Sequence, residues 1–167
     1  MTRRRRLLAN AGLFQLGWFA CVLGAQRPWL LAIALACLVA HLLWIAEDRH
    51  EWRALLTLAA CGWLLDSALL NLGLFDFPGH TWLLPPWLAL LWLLFASTLR
   101  HSLYWTARPW WLASLLGGVA GPLSYFAGAR LAGVGLPLGV GPSLMVLGLI
   151  WAALLPALHH LLGRLQR

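Results

Sequence analysis

The sequence predicts an all-α membrane protein, a bundle of about six transmembrane helices with both termini in the cytoplasm. Three observations carry that expectation. Of 167 residues, 62% are hydrophobic and only 10% charged, whereas soluble domains carry roughly a quarter charged residues; most of this chain needs lipid as its solvent. Apolar runs recur at about 20 residues, the helical length that crosses a hydrocarbon core of about 30 Å. The twelve basic residues, all arginine, fall almost entirely on one side of the resulting topology.

The chain reads as a single transmembrane domain, 1–167, with spans at about 7–25, 28–46, 54–75, 85–105, 109–129 and 142–162. Gln26-Arg27-Pro28 turns the first span into the second. Glu47 to Arg53 (EDRHEWR) reads as the one strongly charged loop, between the second and third. Asp76 to His80 (DFPGH) is a turn, and Arg108-Pro109 restarts the chain at span five. The connection Gly133 to Pro142 (GVGLPLGVGP) is glycine-rich and apolar, so its backbone must be wrapped on protein or be partly re-entrant.

With a cytoplasmic N-terminus, Arg3 to Arg6, Arg49, Arg53, Arg100, Arg108, Arg164 and Arg167 lie inside, ten of the twelve, and Arg27 and Arg130 lie outside. An even number of spans follows from this asymmetry. Trp29, Trp44, Trp52, Trp82, Trp87, Trp105, Trp110 and Trp111 lie at span ends, where amphipathic rings meet headgroups. Trp18, Trp63, Trp92 and Trp151 lie deeper and read as helix packing.

Other classes are excluded by the same residues. The formal charge of +7 is dispersed between apolar runs and forms no stripe or recognition motif, so no nucleic-acid partner is expected. Arg3 to Arg6 imitate a secretory signal, but Leu23 is large where a cleavage site needs a small residue, Asn10 and Gln15 interrupt the apolar region, and more spans follow. Cys21, Cys37 and Cys61 show no metal or redox spacing and read as small core residues. No metal and no cofactor are expected, since the histidines show no ligand-like clustering along the chain.

Polar residues at membrane depth cost free energy and face protein, so they are the candidates for function. Asp66 lies near the middle of span three and Gln15 near the middle of span one. A Gln amide can bond either form of a carboxyl, so these two are expected to meet, with Ser67 and Asn71 completing a central polar cluster. No arginine is placed at that depth, and burial without a cationic partner favours a neutral Asp66. On span five, Gly117, Gly121, Ser124 and Gly128 form a smooth face that permits close approach of a helix. Pro122 frees the carbonyl of Gly118 there. Ser124, Tyr125 and Arg130, with Gly117, Gly121 and Pro122, are candidates to line a groove or an outward-opening polar cavity. Asn10, Arg100 and His101 form a candidate polar group on the cytoplasmic side, with His101 able to handle a proton. His41, His159 and His160 read as satisfied histidines without a role.

The segments NAGLFQLGWFACVLGA (10–25), LLDSALLNLGLF (64–75), LPPWLALLWLLFASTLRHSLYW (84–105) and GGVAGPLSYFAGARLAG (117–133) together resemble a family of small bacterial inner-membrane proteins catalogued only as a domain of unknown function. The resemblance implies a polytopic inner-membrane protein and an association with membrane fatty-acid modification. It brings no activity and no catalytic residues. Three functions fit the residues: a lipid-binding or accessory protein in fatty-acid modification or envelope stress, with membrane lipids as partners; a small proton-coupled transporter using Asp66; or a membrane-embedded lipid-modifying enzyme.

Overall fold

A computed structural model describes residues 2–48, 50–79 and 82–165. Arg49 and Arg167 of the charge tally, and His80 of the expected DFPGH turn, lie outside the described residues. Among the described residues, six α-helices follow one another: α1 (Arg3–Gly24), α2 (Leu31–Trp44), α3 (Glu51–Asn71), α4 (Pro86–Leu99), α5 (Trp110–Ala132) and α6 (Val140–Leu165). The predicted helical class and the six helices are therefore present. Helices α1, α3, α5 and α6 are long and apolar enough to cross a membrane, whereas the two remaining segments, Pro28–Trp44 and Pro86–Leu99, are shorter. Helix α4, with 14 residues, is only about 21 Å long at 1.5 Å per residue.

Local chemistry explains the short helices. Chain reversal after α1 uses the Leu23 carbonyl, which accepts the N–H groups of Gln26 and Arg27 at 3.2 and 3.1 Å. Pro28 then opens a short 3₁₀ turn, Pro28–Leu30, ahead of α2. Helix α2 stops where the His41 carbonyl collects both Ile45 N–H and Ala46 N–H, each at 2.9 Å. Helix α4 stops earlier than the expected span end at residue 105. Ser97 and Thr98 hydroxyls bond back to the Leu94 and Phe95 carbonyls, a competition that loosens a helix. The Thr98 carbonyl then accepts His101 N–H at 3.0 Å and Leu103 N–H at 2.8 Å, which turns residues 100–103 out of the helix path.

The charged loop is shorter than expected. Asp48 Oδ1 accepts the His50 N–H at 2.9 Å, and the Asp48 carbonyl accepts Glu51 N–H at 3.1 Å. That turn launches α3 at Glu51, which is buried, with 1% exposure. Its carboxylate reaches back to accept the Glu47 N–H at 3.2 Å, a backbone donor ahead of the helix.

The chain divides into two compact units, residues 1–63 with 86–104, and residues 64–85 with 105–167. In the first, Trp92 lies against Gly62, where an added Cβ would fall 2.0 Å from the indole, and the Trp63 indole N–H bonds the Ala89 carbonyl at 2.9 Å. In the second, α5 and α6 meet through glycine. A Cβ at Gly117 would fall 2.3 Å from the Trp151 carbonyl oxygen, and one at Gly121 would fall 2.4 Å from the Trp151 ring. The Gly118 carbonyl that Pro122 frees faces Gly148, 3.2 Å from where its Cβ would be. The connection after α5 is pinned at one point: Gly133 closes the helix at φ 73°, and Gly135 exchanges backbone hydrogen bonds with Asp76 at 2.9 and 3.0 Å, while residues 137–142 are exposed.

The expected packing role of the deep tryptophans holds for Trp18, Trp92 and Trp151, all buried, while Trp29, Trp44, Trp82 and Trp110, at expected span ends, are exposed. Leucines such as Leu64, Leu72 and Leu149 are more than 70% exposed. Surface of that kind suits a hydrocarbon solvent and not water.

Candidate functional site

Three helices of the first unit contribute to one buried polar centre. His41 comes from the last turn of α2, Glu51 is the first residue of α3, and His101 sits in the turn after α4. Each is at most 4% exposed. His41 Nε2 lies 3.0 Å and His101 Nε2 2.7 Å from the same oxygen, Glu51 Oε1. The two imidazoles meet edge to face with centroids 5.0 Å apart. Glu51 Oε2 accepts the Glu47 N–H and lies 3.7 Å from Arg100 Nε. A buried carboxylate at the start of α3 is further stabilised by the positive end of that helix dipole.

Asn10 of α1 orients the centre. Its Oδ1 accepts both the Ser102 N–H at 3.2 Å and the Ser102 hydroxyl at 2.6 Å. A backbone N–H can only donate, so the amide orientation is determined. Asn10 Nδ2 therefore points at the Ser97 carbonyl, 3.4 Å away, and at His41 Nδ1, 3.2 Å away. With Nδ1 accepting, His41 carries its proton on Nε2 and donates to Glu51.

The expected cytoplasmic-side group of Asn10, Arg100 and His101 is thus brought together in one network. Sequence reasoning missed His41, read as having no role, and Glu51, read as a loop charge. It also expected no metal-ligating set, yet among the described residues the His41, Glu51 and His101 donor atoms lie within 4.8 Å of one another. A signal was available. The helix order alone puts the end of α2, the start of α3 and the end of α4 on one side, so all three residues share a level despite a separation of 50 positions between Glu51 and His101.

Of the expected central cluster, Asp66 is paired within its own unit, and Gln15 belongs to the other unit. Gln15 is exposed and Asp66 fully buried, and it is the Tyr125 hydroxyl, from the same unit as Asp66, that donates to the two carboxyl oxygens at 2.8 and 3.0 Å. A phenol reaches further from its helix than an amide does. Asn71 is exposed and caps the end of α3, bonding the Ser67 and Trp82 carbonyls at 2.6 and 3.0 Å; Ser67 is half-buried. Tyr125 also stacks on Phe75 with centroids 5.5 Å apart.

The span-five groove exists but is filled. Gly117, Gly121, Pro122 and Gly128 are buried, with Trp151 occupying the space that the missing side chains of Gly117 and Gly121 leave. Ser124 is exposed and departs from that face. Arg130, its guanidinium 5.3 Å over the Phe126 ring, borders a mostly apolar pocket of about 240 Å³ with Ala129, Val134, Leu136 and Val140, whereas Tyr125 turns to Asp66. His159 bonds the Thr106 hydroxyl at 2.7 Å, in keeping with its expected satisfied state.

Residues 7–157 match the family described as "Protein of unknown function (DUF2878)", and the chain belongs to that family. No curated protein and no solved structure matches it.

Proposed function

We propose, for this member of the family, a multi-pass protein of the bacterial inner membrane with both termini cytoplasmic, acting as a membrane-embedded enzyme on lipid at its cytoplasmic face. The observation that carries this reading is the convergence of two imidazoles on one oxygen of a fully buried carboxylate. Taking an ion from water costs several kcal/mol, and an amide would tie helices together more cheaply. Intramembrane groups of this kind mark function.

The position of the centre favours an enzyme over a transporter. Transport sites gather near the bilayer midplane, while His41, Glu51 and His101 stand at helix ends. In the ten-to-two arginine topology those ends are cytoplasmic. Helices α2 and α4 are shorter than the hydrocarbon core is thick, which suits a centre drawn below the headgroup level. A water or substrate hydroxyl held by the imidazoles and carboxylate can be polarised, and the Arg100 guanidinium beside them suits an anionic headgroup. The accessory-protein reading loses its binding surface because α6 fills the span-five groove.

The test is lipid profiling of a deletion strain complemented with the wild-type chain or with Glu51→Gln. An altered lipid profile restored by the wild type and not by a folded Glu51→Gln protein is expected. Equal restoration by both would refute a catalytic centre at Glu51.

A further inference from the structure

We propose that His41, Glu51 and His101 bind one divalent transition-metal ion of the Zn²⁺ class. The inference concerns the same centre, and rests on the enzyme reading only for what the ion would do there.

The donor set is two imidazole nitrogens and a carboxylate oxygen, all within 4.8 Å of one another. Zinc bonds to such atoms are about 2.0–2.2 Å long, so neighbouring ligand atoms around one tetrahedral ion stand about 3.3–3.6 Å apart. The Nε2–Oε1 separations of 3.0 and 2.7 Å are hydrogen-bond distances, shorter than that spacing, so the donors already converge and need only part. Small outward shifts of the rings admit the ion. Two histidines and one carboxylate leave coordination positions open, the pattern of reactive and not of purely structural metal sites. Their origin on the ends of three packed helices holds the donors in place before an ion arrives.

Asn10 sets the condition for binding. Ligation through His41 Nε2 moves that ring's proton to Nδ1, which then needs an acceptor. The Asn10 amide must turn so that Oδ1 faces His41. The Ser102 hydroxyl can accept from the turned NH₂, but the Ser102 N–H, now bonded to Oδ1 at 3.2 Å, loses its partner. A carboxylate at position 10 would accept from His41 without this conflict, forming a carboxylate–histidine–metal arrangement. Asn10 is thus a positioning residue that weakens the ion's hold, and Asn10→Asp should strengthen it by about 10- to 100-fold, the usual reach of outer-shell groups.

The experiment uses the full chain with a histidine-free purification tag, in detergent, stripped by chelator and dialysed against Zn²⁺. Metal per chain is read by plasma mass spectrometry, and affinity by competition with a zinc-chelating dye. One Zn²⁺ per chain is expected, lost in Glu51→Gln and in His101→Gln, with tighter binding in Asn10→Asp. Size-exclusion profiles and helical circular dichroism establish that each variant is folded, and Glu51→Gln, nearly isosteric, serves if the histidine variant is not. No Zn²⁺ on folded wild type and Asn10→Asp at tens of micromolar, or equal loading of wild type and Glu51→Gln, would overturn the proposal. Failure here with loss of lipid complementation by Glu51→Gln removes the metal and leaves the enzyme reading. Zinc binding without any lipid effect of Glu51→Gln does the reverse.

Discussion

Adjacent glycines on α5 should respond oppositely to the same methyl group. At Gly117, a new Cβ would lie 2.3 Å from the Trp151 carbonyl oxygen and 3.0 Å from Leu155 Cβ. The first of these is backbone and cannot rotate away, so α5 and α6 must separate locally. Overpacking of this kind costs about 1–3 kcal/mol. At Gly118, the nearest atoms are Ala152 Cβ and the Gly148 carbonyl oxygen, both 3.4 Å away, a distance that ordinary packing accepts after a slight adjustment. Gly→Ala within a helix contributes up to about 1 kcal/mol of intrinsic propensity. Gly118→Ala should therefore be neutral or stabilising, and Gly117→Ala should be net destabilising by up to about 2 kcal/mol after that gain is subtracted. At about 2–4 °C per kcal/mol for a chain of this length, Gly117→Ala lowers the melting temperature in detergent by several degrees while Gly118→Ala does not. The assay is thermal denaturation of the two variants and the parent in the same detergent, followed by helical circular dichroism. Equal melting temperatures for the two alanine variants would refute the claim that α6 backbone is seated on Gly117.

Further expectations are direct. Gly121→Leu, on the same interface, should lower the melting temperature more than Leu116→Ile, because a Cβ at 121 already meets the Trp151 ring at 2.4 Å; similar values would place that face toward lipid. Tyr125→Phe removes the hydroxyl donor from the fully buried Asp66 and should cost about 1–3 kcal/mol, measured by the same melts; no change would show that the bond contributes nothing. Alkaline phosphatase fused near Pro78 or Gly135 should be active, and inactive near His50, Ala107 or Arg167; activity at His50 would invert the topology. The Asp48 carboxyl, held below the usual carboxylate range chiefly by the His50 N–H and further by the His50 and Arg100 charges, supports the start of α3 above about pH 4 and loses that support as pH falls through its lowered folded value. A carboxyl chemical-shift titration of Asp48 at the ordinary aspartate value would contradict this.

Composition and patterning determined the class of this protein. A chain with 62% hydrophobic residues must place most side chains in a hydrocarbon solvent, and backbone groups in such a solvent must bond within helices. The glycine face of α5 was also legible, because small residues at helical spacing can only mean close approach. Six helices and their order followed from runs of apolar residues broken by Pro28, the EDRHEWR segment and the DFPGH turn.

Partnerships were a matter for tertiary structure. Whether a midspan aspartate meets a glutamine or a tyrosine depends on helix rotation, and α3 and α5 turn Asp66 and Tyr125 toward each other while Gln15 turns outward. Periodicity leaves that rotation open when a helix is apolar on every side, because lipid and protein interior accept the same residues. Helix ends were equally undetermined. Hydropathy carried span four on to residue 105, but hydrogen bonds to the Thr98 carbonyl end α4 early and swing His101 inward. The same physics moved Glu51 from an expected solvated loop to the buried start of α3, since a carboxylate can leave water only where specific donors replace it. Those donors come from His41, His101 and Glu47, and only the folded chain brings them within reach.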